Sequence, residues 1–192
     1  MTGGRLVPEP SPAWPPGFRY QPDFVAGDEE AALVDALRRL DFSEVRMRGQ
    51  VARRRAAHFG WRYGYASSRV EPGPPLPAFL LPLRDRAARL ADLPAGALAE
   101  ALVTEYPAGA GIGWHRDAPA FGLVVGVSLL GACRLRLARD AGGAREVRTV
   151  LLEPRSAYVL AGAARWQWRH SIPPARAPRY SITFRTVRAG GR

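Results

Sequence analysis

Residues 179–185 read Arg179-Tyr180-Ser181-Ile182-Thr183-Phe184-Arg185. Polar and apolar side chains alternate without a break, and along a β-strand successive side chains point to opposite faces. One face therefore carries Arg179, Ser181, Thr183 and Arg185, and the other carries Tyr180, Ile182 and Phe184. The apolar face belongs against a core. The polar face is either the wet side of an edge strand or the lining of a polar cavity. A guanidinium fork grips a carboxylate through two parallel N–H bonds, so a bound dicarboxylate would explain the two arginines.

Working back from this strand, the second half of the chain is a series of short strand-like segments. They are Leu102–Tyr106, Ile112–Arg116, Leu123–Leu130, Cys133–Ala138, Val147–Leu152, Ala157–Leu160 and Trp166–His170. Gly, Pro or charged turns separate them at close spacing, the rhythm of a sandwich, jelly roll or barrel. The first half reads differently. Asp28–Leu40 is a predicted helix, with Asp28 as its cap, Glu29 and Glu30 at its positive end, and Leu33, Leu37 and Leu40 at helical spacing. Leu80–Leu90 is a second predicted helix through Leu83, Ala87 and Leu90. Between them lie the Arg- and aromatic-rich stretch 46–70 and a run of prolines from Pro72 to Pro77. Residues 1–16, with five prolines and few apolar anchors, read as an extended or disordered tail. The expected class is α+β: helices packed on a β-rich second half.

Composition bounds the rest. At 192 residues the chain is long enough for one substantial core. No apolar stretch approaches the roughly 20 residues that cross a bilayer, so no membrane partner is expected. There is no basic-then-apolar leader, and one cysteine, Cys133, cannot build a disulfide framework, so a reducing cytoplasmic setting is the expectation. A monomer is expected as well. The net charge is +11, and all 28 basic residues are arginines. An Arg-, Ala-, Gly- and Pro-rich compositional bias accounts for Arg over Lys. It does not account for the excess of positive charge, which favours nucleic acid as a partner.

His115-Arg116-Asp117 puts one imidazole and one carboxylate on the same face of a strand-like segment, with Arg116 turned away. The chain has two other histidines, His58 and His170, and His170 ends a late strand that a jelly roll can bring alongside. Two histidines and a carboxylate on one side of a metal are the facial triad of non-haem iron(II) sites, which leaves coordination positions open. The same donors also suit zinc, but no glutamate stands out as a general base. A His-x-Asp triplet alone is equally a polar pair in a loop. The arginine strand that follows gives it meaning.

These residues resemble the AlkB family of 2-oxoglutarate-dependent nucleic-acid dealkylases. The likeness runs from about Pro16 to Val187 and is sharpest in Thr104–Asp117 and in the strand with two arginines six apart. It implies a double-stranded β-helix (a cupin-like jelly roll) over 98–188, within one domain spanning 17–188, with N-terminal helices and a nucleotide-recognition lid over 46–75. It implies Fe(II) on His115, Asp117 and His170. It also implies 2-oxoglutarate held by Arg179 at its distal carboxylate, with the Tyr106 hydroxyl in support and Arg185 near the metal-chelating carboxylate. Thr104 and Ser181 stand where the family often has Asn, and both keep a hydrogen-bonding group. With O2 the co-substrate is decarboxylated to succinate while an N-alkyl group on a base is oxidised and released as an aldehyde.

The resemblance further implies that Tyr63 and Tyr65 cover the target nucleotide. The Arg53–Arg55 run reads either as a solvated turn or, with Arg46, Arg48 and Arg62 close in sequence, as a phosphate contact, which makes Arg53, Arg54 and Arg62 the candidates. Pro119 stands where well-studied repair members carry an acid that touches the damaged base, so base recognition must differ. The leading expectation is oxidative demethylation of alkylated bases in DNA or RNA, for repair or RNA modification. One alternative is an Fe(II)/2-oxoglutarate hydroxylase or demethylase of a protein or small molecule. Another is a catalytically silent nucleic-acid-binding domain. Trp114 and Cys133 are expected in the core, and His58 as a structural or surface residue.

Overall fold

The computed structural model describes residues 14–47, 49–64 and 69–188. In chain order the first half forms β1 (Phe18–Gln21), α1 (Gly27–Leu37), β2 (Ser43–Met47), β3 (Gln50–Phe59), β4 (Trp61–Gly64), β5 (Arg69–Pro72) and α2 (Leu81–Leu90). The second half forms β6 (Glu100–Tyr106), β7 (Ile112–His115), β8 (Phe121–Leu130), β9 (Cys133–Ala141), β10 (Ala144–Leu152) and β11 (Ser156–Leu160). It closes with α3 (Gly162–Trp166), β12 (Arg169–Ile172) and β13 (Arg179–Val187).

The strands make a seven-stranded sheet in the order β1-β11-β8-β13-β6-β3-β2 and a four-stranded sheet in the order β10-β9-β12-β7. Strands β4 and β5 pair with each other in a separate hairpin. The ladders are antiparallel, and the two larger sheets face each other as a jelly roll.

The arginine strand decides between its two readings. β13 is not an edge strand but lies between β8 and β6. Tyr180, Ile182 and Phe184 pack on the helix side with Leu33, Leu37, Leu83 and Val103. Arg179, Ser181, Thr183 and Arg185 are buried on the other face, toward the four-stranded sheet. Polar groups withdrawn from water on a central strand need partners there.

The helices form for ordinary reasons. In α1 the acids Asp28, Glu29 and Glu30 occupy the first turn, and Leu33, Val34 and Leu37 turn inward. Asp28 is not the cap, however: Ala26 holds that position and makes no side-chain cap bond. α2 begins with a proline in its first turn and buries Leu83, Ala87 and Ala88.

Four expectations need correcting. Trp166–His170 is not one strand: Trp166 ends helix α3 and is 42% exposed, while β12 begins at Arg169. Trp168 and His170 share an inward face, which mimics a longer alternation. The sheet is not confined to the second half, because β1, β2 and β3 extend the larger sheet. Arg53–Arg55 is not a turn but the middle of β3, where Arg55 faces Glu105 on β6. Long arginine stems hid that strand by covering surface that apolar side chains would otherwise reveal. Finally, Trp114 is half-buried rather than core; the guanidinium carbons of Arg136 and Arg145 each lie 4.8 Å from its ring centroid. Cys133 is buried on β9 as expected, and burial raises its thiol pKa.

Candidate active site and metal centre

His115 and His170 face each other across the β7–β12 ladder, so their rings approach to 4.2 Å between centroids. Asp117 follows just beyond β7, its Oδ2 3.5 Å from His170 Nε2. Among the described residues these side chains are neighbours and do not form a closed cage of three donors. Each is nevertheless in the state a cation needs. His115 Nδ1 lies 2.9 Å from the carbonyl of Gly113, which can only accept, so Nδ1 carries the proton and Nε2 keeps its lone pair. Burial lowers the pKa of both rings, His170 down to about 3 against the pull of Asp117, so both are neutral at pH 7. Burial alone would raise the Asp117 pKa, but Arg185 above all holds it well below the usual carboxylate range. Its Oδ2 is buried without a hydrogen-bond partner among the described residues. Two neutral imidazoles and a carboxylate with one orphaned oxygen fit a divalent cation.

The opposite end of the site is cationic. Arg179 is 1% exposed and directly faces Tyr106 on β6, its guanidinium carbon 4.8 Å from that ring's centroid. One of its nitrogens donates to Ser128 Oγ at 3.0 Å, while Nε and Nη1 have no hydrogen-bond partner among the described residues. No described carboxylate pairs with it. Burial raises the Tyr106 pKa, so its hydroxyl stays neutral and able to donate. Ser181 lies level with Thr104 on β6 and Ser128 on β8, and all three are buried. Arg185 donates to both oxygens of fully buried Glu100, at 3.2 and 3.3 Å, and its other arm lies 2.7 Å from Asp117 Oδ1.

Two cavities reach these groups. One, of about 400 Å³, is lined by Tyr63, Arg116, Ala118, Pro119, Arg165 and Trp166 and opens onto Asp117. The other, of about 510 Å³, is lined by Arg53, Arg55, Glu105, Tyr106, Pro178 and Arg179 among others. The expected substrate residues therefore part company. Tyr63 stands at the Asp117 cavity, and Arg53 stands at the Tyr106 end beside Gly109. Arg54 lies 3.5 Å from the Gly111 carbonyl, and Arg62 is paired with Glu71 at 3.0 Å. Tyr65 lies outside the described residues. His58 is a surface residue on β3, with Nδ1 3.8 Å from Glu100.

Several site residues escape the sequence reading. Arg165, 2% exposed, donates to the carbonyls of Asp117, Ala118, Phe121 and Gly122 and so pins the loop after Asp117. It and Trp166 sit on α3, which strand spacing concealed. Glu100 was findable, since it shares strand parity with Thr104 and Tyr106 and so shares their face.

Comparisons with known proteins agree with this geometry. A family model described as the 2OG-Fe(II) oxygenase superfamily matches residues 17–185. The chain is 30% identical over 182 residues to "Alkylated DNA repair protein ALKBH8 homolog" of Arabidopsis thaliana, covering 82% of this chain and 51% of that protein. It is 28% identical over 170 residues to "tRNA (carboxymethyluridine(34)-5-O)-methyltransferase alkbh8" of Xenopus tropicalis, covering 85% of this chain and 26% of that protein. The chain thus spans about half the length of the first relative and about a quarter of the second. The solved structure of OsALKBH1 superposes with a TM-score of 0.73 at 16% identity, covering 91% of this chain and 98% of that one. A prolyl-4-hydroxylase of Pseudomonas putida superposes with a TM-score of 0.58 at 18% identity, covering 90% and 94%. At such identities these structures speak for the fold alone. The chain belongs to the 2OG-Fe(II) oxygenase superfamily, as an AlkB-like dioxygenase of a family that works with Fe(II), 2-oxoglutarate and O2.

Proposed function

We propose that this dioxygenase oxidatively removes N-alkyl groups from bases of DNA or RNA, with His115, Asp117 and His170 as the iron ligands. The observation that carries the reading is Arg179, a buried cation with two unpartnered donors and no described carboxylate beside it. A buried charge persists when something pairs with it, and the distal carboxylate of 2-oxoglutarate is a matching fork. Tyr106 supports that carboxylate through its hydroxyl, while Thr104 and Ser181 line the same face. When bound, the iron supplies open coordination positions at which 2-oxoglutarate and O2 react.

The residues of the chain do the positioning. Gly113 fixes the His115 tautomer through its carbonyl. Arg185 holds Asp117 by one oxygen, leaving the other for the metal. The two imidazoles remain neutral because the site is dry. The cavity beside Asp117 receives the base, with Tyr63 at its mouth. Residues 17–188 act as one unit in this reading, with 98–188 the catalytic core and 46–75 a lid that includes Tyr65. Arg53, Arg54 and Arg62 remain the candidate phosphate contacts. A nucleic-acid substrate is supported by the net charge of +11 and by relatives named for alkylated-DNA repair and tRNA.

The test supplies purified protein with Fe(II), ascorbate and 2-oxoglutarate and offers matched DNA and RNA oligonucleotides carrying N-methylated bases. Methyl loss is read by mass spectrometry and succinate by chromatography, with Asp117→Ala as the blank. Methyl loss that disappears in the blank supports the reading, and the favoured oligonucleotide chooses DNA or RNA. Asp117-dependent succinate with no base demethylated would sink the nucleic-acid part and leave a hydroxylase or demethylase of proteins or small molecules. No succinate from iron-loaded protein would favour a silent binder.

A further inference from the structure

We infer that the cavity beside Asp117 takes a base without positive charge, neutral or anionic, and rejects a cationic one. The inference rests on the nucleic-acid reading above and names the substrate class within it. Two arginines line this cavity and a third lies beside its lining residues. Arg116 lines it, with Nη2 3.1 Å from the Gln167 carbonyl. Arg165 also lines it, donating to backbone carbonyls, with its guanidinium carbon 4.2 Å from the Trp166 ring centroid and Asp117 as its nearby counter-charge. Arg188 flanks the mouth, its guanidinium carbon 5.0 Å from the Trp166 ring centroid and Nη1 3.2 Å from the Pro119 carbonyl.

None of the three lies in an ion pair with a described carboxylate. Asp117 is the one acid among the lining residues, and its Oδ1 is held by Arg185. Pro119 brings no charge. A partly enclosed site screens charge poorly, so a cationic base meets like charge that the single carboxylate of Asp117, already shared with Arg185, offsets only in part. A neutral base meets no such cost, and a carboxylate substituent gains. Trp166, 42% exposed at the mouth, and Tyr63 offer aromatic surface that serves a base of any charge, so charge is what discriminates.

The experiment measures binding without turnover. Protein loaded with Mn(II) and 2-oxoglutarate under argon is titrated with short oligonucleotides that differ only at the central base. The cationic probes are 1-methyladenine and 3-methylcytosine, the neutral ones 1-methylguanine and 3-methyluracil, the anionic one 5-carboxyuracil, and an abasic centre sets the baseline. Neutral and anionic centres should bind at least about tenfold more tightly than cationic ones, a gap of about 1.4 kcal/mol. The gap should shrink in Arg116→Gln, at an exposed position, and in Pro119→Asp, which adds a carboxylate. Cationic centres that bind as tightly as neutral ones, or more tightly, would overturn the inference and leave the nucleic-acid reading standing. Failure of every base to exceed the abasic centre would overturn both.

Discussion

Glu100 and Arg185 stand directly opposite each other on β6 and β13, joined through both carboxylate oxygens at 3.2 and 3.3 Å in a position without solvent access for Glu100. Because the other arm of Arg185 reaches Asp117 Oδ1, one carboxylate holds the arginine and the arginine holds the other. Removing Glu100 leaves a buried guanidinium shared with a single acid. Glu100→Ala is expected to destabilise the protein by about 3–5 kcal/mol, the range for breaking a buried pair. Glu100→Gln keeps an acceptor and should recover part of that loss. Urea denaturation of both variants, with Mn(II) affinity measured in parallel, checks the order.

Arg179 gives the opposite sign for stability. Its charge is buried without a carboxylate partner among the described residues, so Arg179→Met should leave the ligand-free protein as stable as wild type or more so. Saturating 2-oxoglutarate with Mn(II) should stabilise wild type by about 2.7 kcal/mol at a hundredfold excess over Kd. In Arg179→Met that increment should vanish, which differential scanning calorimetry reads directly.

His170 sets a pH dependence. Its pKa is about 3 in the folded chain against 6.5 for the free side chain. Between those values the unfolded chain binds a proton that the folded chain refuses, so folding weakens as pH falls. The ligand-free protein should lose stability steadily from about pH 6.5 downward, with His115 adding the same sign. His170→Gln should flatten the slope between pH 6.5 and 5, measured by denaturant midpoints.

Tyr158 on β11 lies level with Gly126 on β8, and its ring fills the space where a Cβ at 126 would stand. Gly126→Ala should therefore cost about 1–3 kcal/mol by overpacking between the sheets. A thermal melt of this variant tests the registry of the two strands.

Much of this was legible in the sequence, and the reasons are local. The alternation in residues 179–185 specified both faces of β13, because one buried face meets an apolar core while the other carries polar groups. His115 and His170 stood out by scarcity, since the chain has three histidines, and Asp117 stood out by its place two residues after His115. What stayed hidden depended on tertiary neighbours. α3 is only five residues long, too short for helical periodicity to register. Trp114 looked like core by residue type, but it belongs to the outward face of a thin sheet, where Arg136 and Arg145 cover it. β3 was masked by arginines that pair across strands, as Arg55 does with Glu105 at β6.

The four carbonyls gathered by Arg165 tie one side of the cavity beside Asp117 to a single side chain. The side that follows Asp117 is fastened at Asp117, Ala118, Phe121 and Gly122 to one buried cation, so it cannot yield without releasing them together. The side bearing Tyr63 belongs to the β4–β5 hairpin, which joins neither larger sheet and is anchored at its root by the Gly60–Gly73 and Gly60–Pro74 backbone bonds. A substitution at Arg165 would therefore release four loop positions at once, whereas a substitution in the hairpin would release none of them.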